Sequence, residues 1–130
     1  MSADAFAWVR KAEHDLVAVD AIGAASDPPW DIVVFHAQQA AEKLLKALLV
    51  SHGQRPPKIH DLTGLLAICV AYAPELVSFA DDFVFLSPLA ALSRYPGDEP
   101  DSTREDAQRC IEIARRVREV VVTRLQAAGP

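Results

Sequence analysis

Four histidines, two cysteines and a few closely spaced basic residues are the groups in this chain best equipped for chemistry. His14, His36, His52 and His60 each carry an imidazole, but no two are four positions apart, the spacing that puts two zinc ligands on one helix face. Cys69 and Cys110 lie far apart in apolar helical surroundings, where buried free thiols are expected. No metal and no cofactor is therefore expected. Two arginine–histidine pairs, Arg10 with His14 and Arg55 with His60, have the composition of an RNA-cleaving site. There histidine would move the proton and arginine would stabilise the phosphorane charge. Arg55 and His60 straddle Pro56 and Pro57 in a loop, so their spacing reads as coincidence.

A second group lies on one helical face: Gln38, Gln39, Glu42 and Lys46 occupy neighbouring positions, with His36, Ala40, Lys43 and Ala47 beside them. Glu42 and Lys46 form a favourable i, i+4 ion pair. Paired amides among alanines fit contact with another helix better than plain solvent. The dipeptide His60-Asp61 allows two readings. One of its residues caps a helix, or the pair resembles that of HD-type phosphohydrolases, which are also all-helical. In that case His36 and either Asp81 or Asp106 would have to complete a metal pair.

The elements that must position these groups are helices. Phe6, Val9, Ala12, Leu16 and Val19 recur at three- and four-residue steps over Ala3 to Ile22, with Arg10, Lys11, Glu13, Asp15 and Asp20 on the remaining surface. A second helix is expected to open at Asp27 as N-cap with Pro28 in its first turn, and to stop at Gly53. Its stripe is Trp30, Val33, Val34, Ala37, Ala41, Leu44, Leu45 and Leu48. Gln54 to Lys58 reads as a loop. A third helix begins at His60 or Asp61 and ends near Ala73. A fourth opens at Pro74 and carries Leu76, Val77, Phe79, Ala80, Phe83, Val84 and Leu86. Ser87-Pro88 breaks or kinks it, leaving Leu89 to Leu92 as a further turn. After a proline-containing loop from Ser93 to Asp101, the last helix starts at Ser102, with Glu105 completing a capping box. Its buried stripe is Ala107, Cys110, Ile111, Ala114, Val117, Val121 and Leu125.

Such stripes joined by short connections specify an all-α, antiparallel up-and-down bundle of four to five helices, expected as a single domain over residues 1–130. Apolar residues make up 51% of the chain and charged residues 24%, an ordinary globular balance. A net charge of −5 argues against holding nucleic acid by bulk electrostatics. It leaves room for a local basic strip among the six arginines between Arg104 and Arg124. A solvated helix face is the simpler account of that strip. No leader and no membrane-length apolar run is visible, so a cytoplasmic location is expected.

The segment Phe35-His-Ala-Gln-Gln-Ala-Ala-Glu-Lys-Leu-Leu-Lys-Ala-Leu-Leu49 resembles the signature helix of HEPN-domain proteins. Further elements match in order: Ala12-Glu-His-Asp-Leu16, the stretch from Gly53 to His60-Asp-Leu62, and Ser93-Arg-Tyr-Pro96. The resemblance implies a helical bundle that dimerises. It also implies a nucleotidyltransferase partner in toxin–antitoxin-like modules, and binding of a nucleotide or RNA. Many members are ribonucleases with Arg-x(4–6)-His near the last helix. Counted from Arg94, the histidine would fall at Glu99, Pro100 or Asp101, none of which is one. The resemblance therefore implies binding without a catalytic residue, with Arg94, Tyr95, Gln38, Gln39, Glu42, Lys46, His36 and His60 as candidate ligand contacts. Two alternatives stay open: a toxin ribonuclease using Arg94 with a non-histidine base, and an HD-type phosphohydrolase.

Overall fold

A computed structural model of the protein describes residues 3–58, 61–92 and 102–127. These residues form five α-helices and one 3-10 helix: α1 (Ala3–Gly23), α2 (Trp30–Ser51), α3 (Leu62–Cys69), the 3-10 helix (Pro74–Phe79), α4 (Ala80–Leu92) and α5 (Arg104–Ala127). No strand occurs among them.

Side-chain pairs across the helices give their directions. On α5, Arg115 bonds Asp20 and Arg118 bonds Glu13, so α5 climbs as α1 descends. Arg116 stacks over Phe79 and Arg109 over Phe85, so the 3-10 helix and α4 after it run antiparallel to α5. The start of α5 meets the start of α2, where the Ser102 backbone N–H donates to Asp31 Oδ1 at 2.7 Å. The fold is the up-and-down all-α bundle that the stripes implied.

Helix α2 is the axis of the bundle. Val33, Val34, Ala37, Ala40, Ala41, Leu44, Leu45, Ala47, Leu48 and Leu49 are all buried, so the apolar surface goes nearly all the way round. Each of its four buried leucines contributes about 2 kcal/mol relative to an exposed position. A helix buried over most of its surface must be wrapped, and α1, α4 and α5 with α3 do the wrapping.

Several local expectations shift once the helices pack. Asp27 does not cap α2: the N-cap is Pro29, without a side-chain cap, because a residue followed by proline is steered away from helical angles and Pro28 precedes Pro29. Asp61, not His60, caps α3, accepting from the Thr63 N–H at 3.2 Å and the Thr63 hydroxyl at 2.7 Å. Helix α3 ends at Cys69 rather than Ala73, and Pro74 opens a 3-10 helix before α4 begins at Ala80. Pro88 does not break α4, which runs through to Leu92. The α5 capping box lies one residue later than expected. Thr103 Oγ1 accepts from the Asp106 N–H at 3.1 Å, and Asp106 Oδ2 accepts from the Thr103 N–H at 3.4 Å. Ser102 is instead occupied by Asp31.

The stripes hold with local exceptions. Phe6 is exposed and Ala5 takes its place in the core, while Asp15, assigned above to the surface, is buried. Val77 and Val84 stand 62% and 65% exposed, and Ile113 is more deeply buried than Ile111. Cys69 and Cys110 are free and buried, and desolvation pushes both thiols up to about 12.

Gly53 ends α2 as expected, with φ of +75°. Its N–H donates to the Val50 carbonyl at 3.0 Å and the Gln54 N–H to the Leu49 carbonyl at 3.0 Å, the paired bonds of a Schellman turn. A Cβ added there meets nothing within 4 Å, so any penalty comes from the backbone angle alone. Gly53→Ala is expected to cost about 1 kcal/mol, read as a lower urea midpoint at unchanged slope.

Candidate functional site

The polar residues of α2 point three ways, because successive residues are turned about 100° around a helix. His36 and Lys43 face α1. There Asp15 accepts a bond from His36 Nδ1 at 2.9 Å and one from Lys43 Nζ at 2.6 Å. A carboxylate only accepts, so the Nδ1 atom of His36 carries the proton of that bond. Asp15 falls between Ala12 and Val19 on the buried stripe of α1, and two donors from one neighbouring helix make that burial tolerable. The ring of Phe35 meets His36 edge-on at 5.4 Å.

Gln38 faces the opposite side. Its amide donates to the Ser87 carbonyl at 2.7 Å and, at 3.4 Å, to the Leu86 carbonyl, gripping α4 just before Pro88. Glu42 and Lys46 follow one and two turns later, both buried, with Lys46 Nζ 3.4 Å from Glu42 Oε2. The expected i, i+4 pair therefore forms, in the interior rather than in solvent. Lys46 also lies 5.8 Å from the centre of the Trp8 ring. Gln39 is half-buried, with no side-chain hydrogen bond among the described residues. Of the two amides, Gln38 meets another helix, and that helix is the protein's own α4.

Arg94, Tyr95 and His60 lie outside the described residues. The structure brings Gln38, Glu42 and Lys46 together along one side of α2 and sets His36 on another. Sequence reasoning missed Asp15 as a positioning residue, although a carboxylate at a stripe position three residues from Ala12 and four from Val19 is a readable signal. It also left out Trp8, whose ring lies 5.8 Å from Lys46 Nζ.

Five of the six arginines of α5 are engaged by carboxylates. Arg109 and Arg116 both reach Asp82, at 3.5 and 3.8 Å, and Arg115 reaches Asp20 at 2.5 Å. Arg118 reaches Glu13 at 2.9 Å. Arg124 grips both oxygens of Glu75, at 2.6 and 2.7 Å, and this bond lowers the Glu75 carboxyl below its ordinary range. The basic strip visible in the sequence is thus largely neutralised from within. Among the described residues no group of three or more His, Cys, Asp or Glu side chains is placed to share a metal ion. No helix among them is long and apolar enough to cross a membrane.

The HEPN domain model matches residues 5–125. The chain belongs to the HEPN domain family. Its fold is similar to that of TT1696 from Thermus thermophilus, with a TM-score of 0.78 at 26% identity, covering 92% of this chain and 97% of the other. It is also similar to ST0689, an archaeal HEPN homologue, with a TM-score of 0.73 at 25% identity, covering 93% of this chain and 97% of that one. No curated protein matches the sequence. In this HEPN domain the polar residues of the signature helix act first on the fold, holding α1 and α4 to α2.

Asp15→Ala removes the acceptor of both His36 and Lys43. Because the two donors keep partial access to water, a loss of about 2 kcal/mol in unfolding free energy is expected. His36→Gln, which retains a donor, is expected to cost less than half of that; equal losses would show that the pairing itself is unimportant.

Proposed function

We propose that this HEPN protein is a dimeric, cytoplasmic, non-catalytic component of a nucleotidyltransferase-associated module of the toxin–antitoxin kind, and that it holds a nucleotide or RNA through Arg94 and Tyr95. One observation carries the reading. Positions 99 to 101 after Arg94 hold Glu, Pro and Asp, so the imidazole of the Arg-x(4–6)-His pattern is missing. Without it, the pattern supplies no imidazole to take the proton from the attacking hydroxyl. Carboxylates beside a scissile phosphate would also repel it.

The internal contacts support binding over cleavage. His36, the histidine on the signature helix, is held by Asp15 on the side of α2 away from Gln38. Asp61 is engaged as the α3 cap, which weakens the HD-type reading. Arginine offers a phosphate a planar two-point grip, and tyrosine offers a base a stacking face. Gln38, Glu42 and Lys46 then act as supports for the neighbouring helices rather than as ligand contacts.

Purified protein incubated with single-stranded RNA is expected to give no more cleavage than the Arg94→Ala variant. RNA retention in a filter or anisotropy assay is expected to fall about tenfold in that variant. Cleavage lost on Arg94→Ala would overturn the non-catalytic reading. Light scattering at micromolar concentration is expected to report twice the mass of the chain, and a monomer would remove dimerisation from the proposal.

A further inference from the structure

The stretch that holds α3, the 3-10 helix and α4 is devoid of basic side chains. No lysine or arginine occurs from Ile59 to Ser93, while Asp61, Glu75, Asp81 and Asp82 all fall there. The two helices are also poor in polar residues: α3 has Thr63, and α4 has Asp81, Asp82 and Ser87. A helix apolar on nearly every side is ordinarily enclosed, yet both keep part of that surface bare. Ile68, Val77 and Val84 are 42%, 62% and 65% exposed. Valine is a poorer helix former than alanine or leucine, so helix propensity does not account for Val84.

The bare residues are gathered in one place. Leu66, Ala67 and Val70 form one wall of a groove of about 270 Å³, and Val77, Ala80 and Val84 form the other. Spacings of three and four residues on each wall mark helix stripes, so the groove is a trough between two helical ridges. That shape receives the apolar face of a third helix. Ala67 and Ala80 are exposed and small, which lets a helix come close. No charged side chain lines the groove to orient a small ligand. Charge then selects the occupant. Asp81 adjoins Ala80, and Asp61 lies two residues before Thr63, which also lines the groove. Glu75 and Asp82 are engaged by α5 arginines, whereas Asp61 and Asp81 have no cationic partner among the described residues. Pairing this face with the same face of a second copy would set those carboxylates against their counterparts, with no base in the stretch to offset them. A partner with lysine or arginine beside its apolar stripe satisfies both the trough and its fringe.

We propose that the groove between α3 and the 3-10 helix with α4 docks an amphipathic helix of another protein, apolar on one face and basic along its flanks. The proposal rests on the groove's own residues and does not depend on the ligand or partner proposed above.

The probe is an alanine-rich helical peptide of about 18 residues, with leucines at i, i+4, i+7 and i+11 and lysines flanking that stripe. Fluorescence anisotropy of the labelled peptide, titrated with the full chain, is expected to show binding. Replacing the lysines by glutamates is expected to weaken it about tenfold. Val84→Gln is expected to weaken it about tenfold as well, and Asp81→Lys about threefold. Both residues are exposed, so an unchanged melting temperature serves as the folding control. Amide NMR shifts on adding the peptide are expected to be largest at Ala67, Val70, Ala80 and Val84. No binding, or equal binding of the glutamate peptide, would overturn the proposal. So would equal binding of a scrambled peptide of the same composition, or largest shifts on α1 or α5. A dimer converted to a monomer by Val84→Gln would give the groove to a second copy and overturn it too.

Discussion

Burying most of a helix obliges the polar residues on its buried sides to find partners inside the fold, and this constraint organises the whole protein. Helix α2 carries apolar surface over most of its circumference, so most of it must be enclosed, and only the side of Ile32, His36, Gln39 and Lys43 keeps partial access to water. Gln38, Glu42 and Lys46 go in with it, and Lys43 is half-buried beside them. Each would be costly if left alone, and each finds a donor or acceptor: Asp15 from α1, the carbonyls of α4, or a neighbour one turn along. Apolar contact is non-directional, whereas these bonds have defined partners. They are what hold α1 and α4 at particular rotations about the central helix.

The charge layout follows a related logic on the outside. The chain is acidic overall, yet the last helix is rich in arginine. Folding sets those arginines against Glu13, Asp20, Glu75 and Asp82. Exposed pairs of this kind add little stability individually. Their larger effect is on the surface field, because an engaged guanidinium attracts a distant phosphate much less than a free one. What remains of the positive surface lies elsewhere, including the end of the α1–α2 pair where Lys11 and Arg55 line an open cleft. An anion approaching this molecule therefore meets a different surface from the one that counting basic residues along the chain would suggest.

Much of the architecture is legible from residue periodicity. The α2 stripe, the stop at Gly53 and the cap at or beside Asp61 depend on neighbours within a few positions, and all three are found. The errors also have local causes. At the start of α1 two adjacent positions compete for the core, and the small Ala5 rather than the large Phe6 sits beneath the packing helices. At the start of α5, Ser102 has the right chemistry to cap the helix, but its N–H is taken by Asp31, far away in sequence, so Thr103 becomes the cap. Before α2, Pro28 suits a first turn in isolation, yet the proline after it excludes the required angles.

For the candidate site, sequence alone determined which residues could act. It placed Gln38, Glu42 and Lys46 on neighbouring turns, paired Arg94 with Tyr95, and left positions 99 to 101 without an imidazole. The spacing of side chains along one helix carries that information. Tertiary structure alone decided what those residues face. It turned Gln38 onto α4, gave Asp15 to His36 and Lys43, paired five of the six arginines of α5, and opened a cleft lined by Trp8 and Arg55. These contacts join residues tens of positions apart. They exist only once burial of the central helix has fixed which faces its neighbours can present.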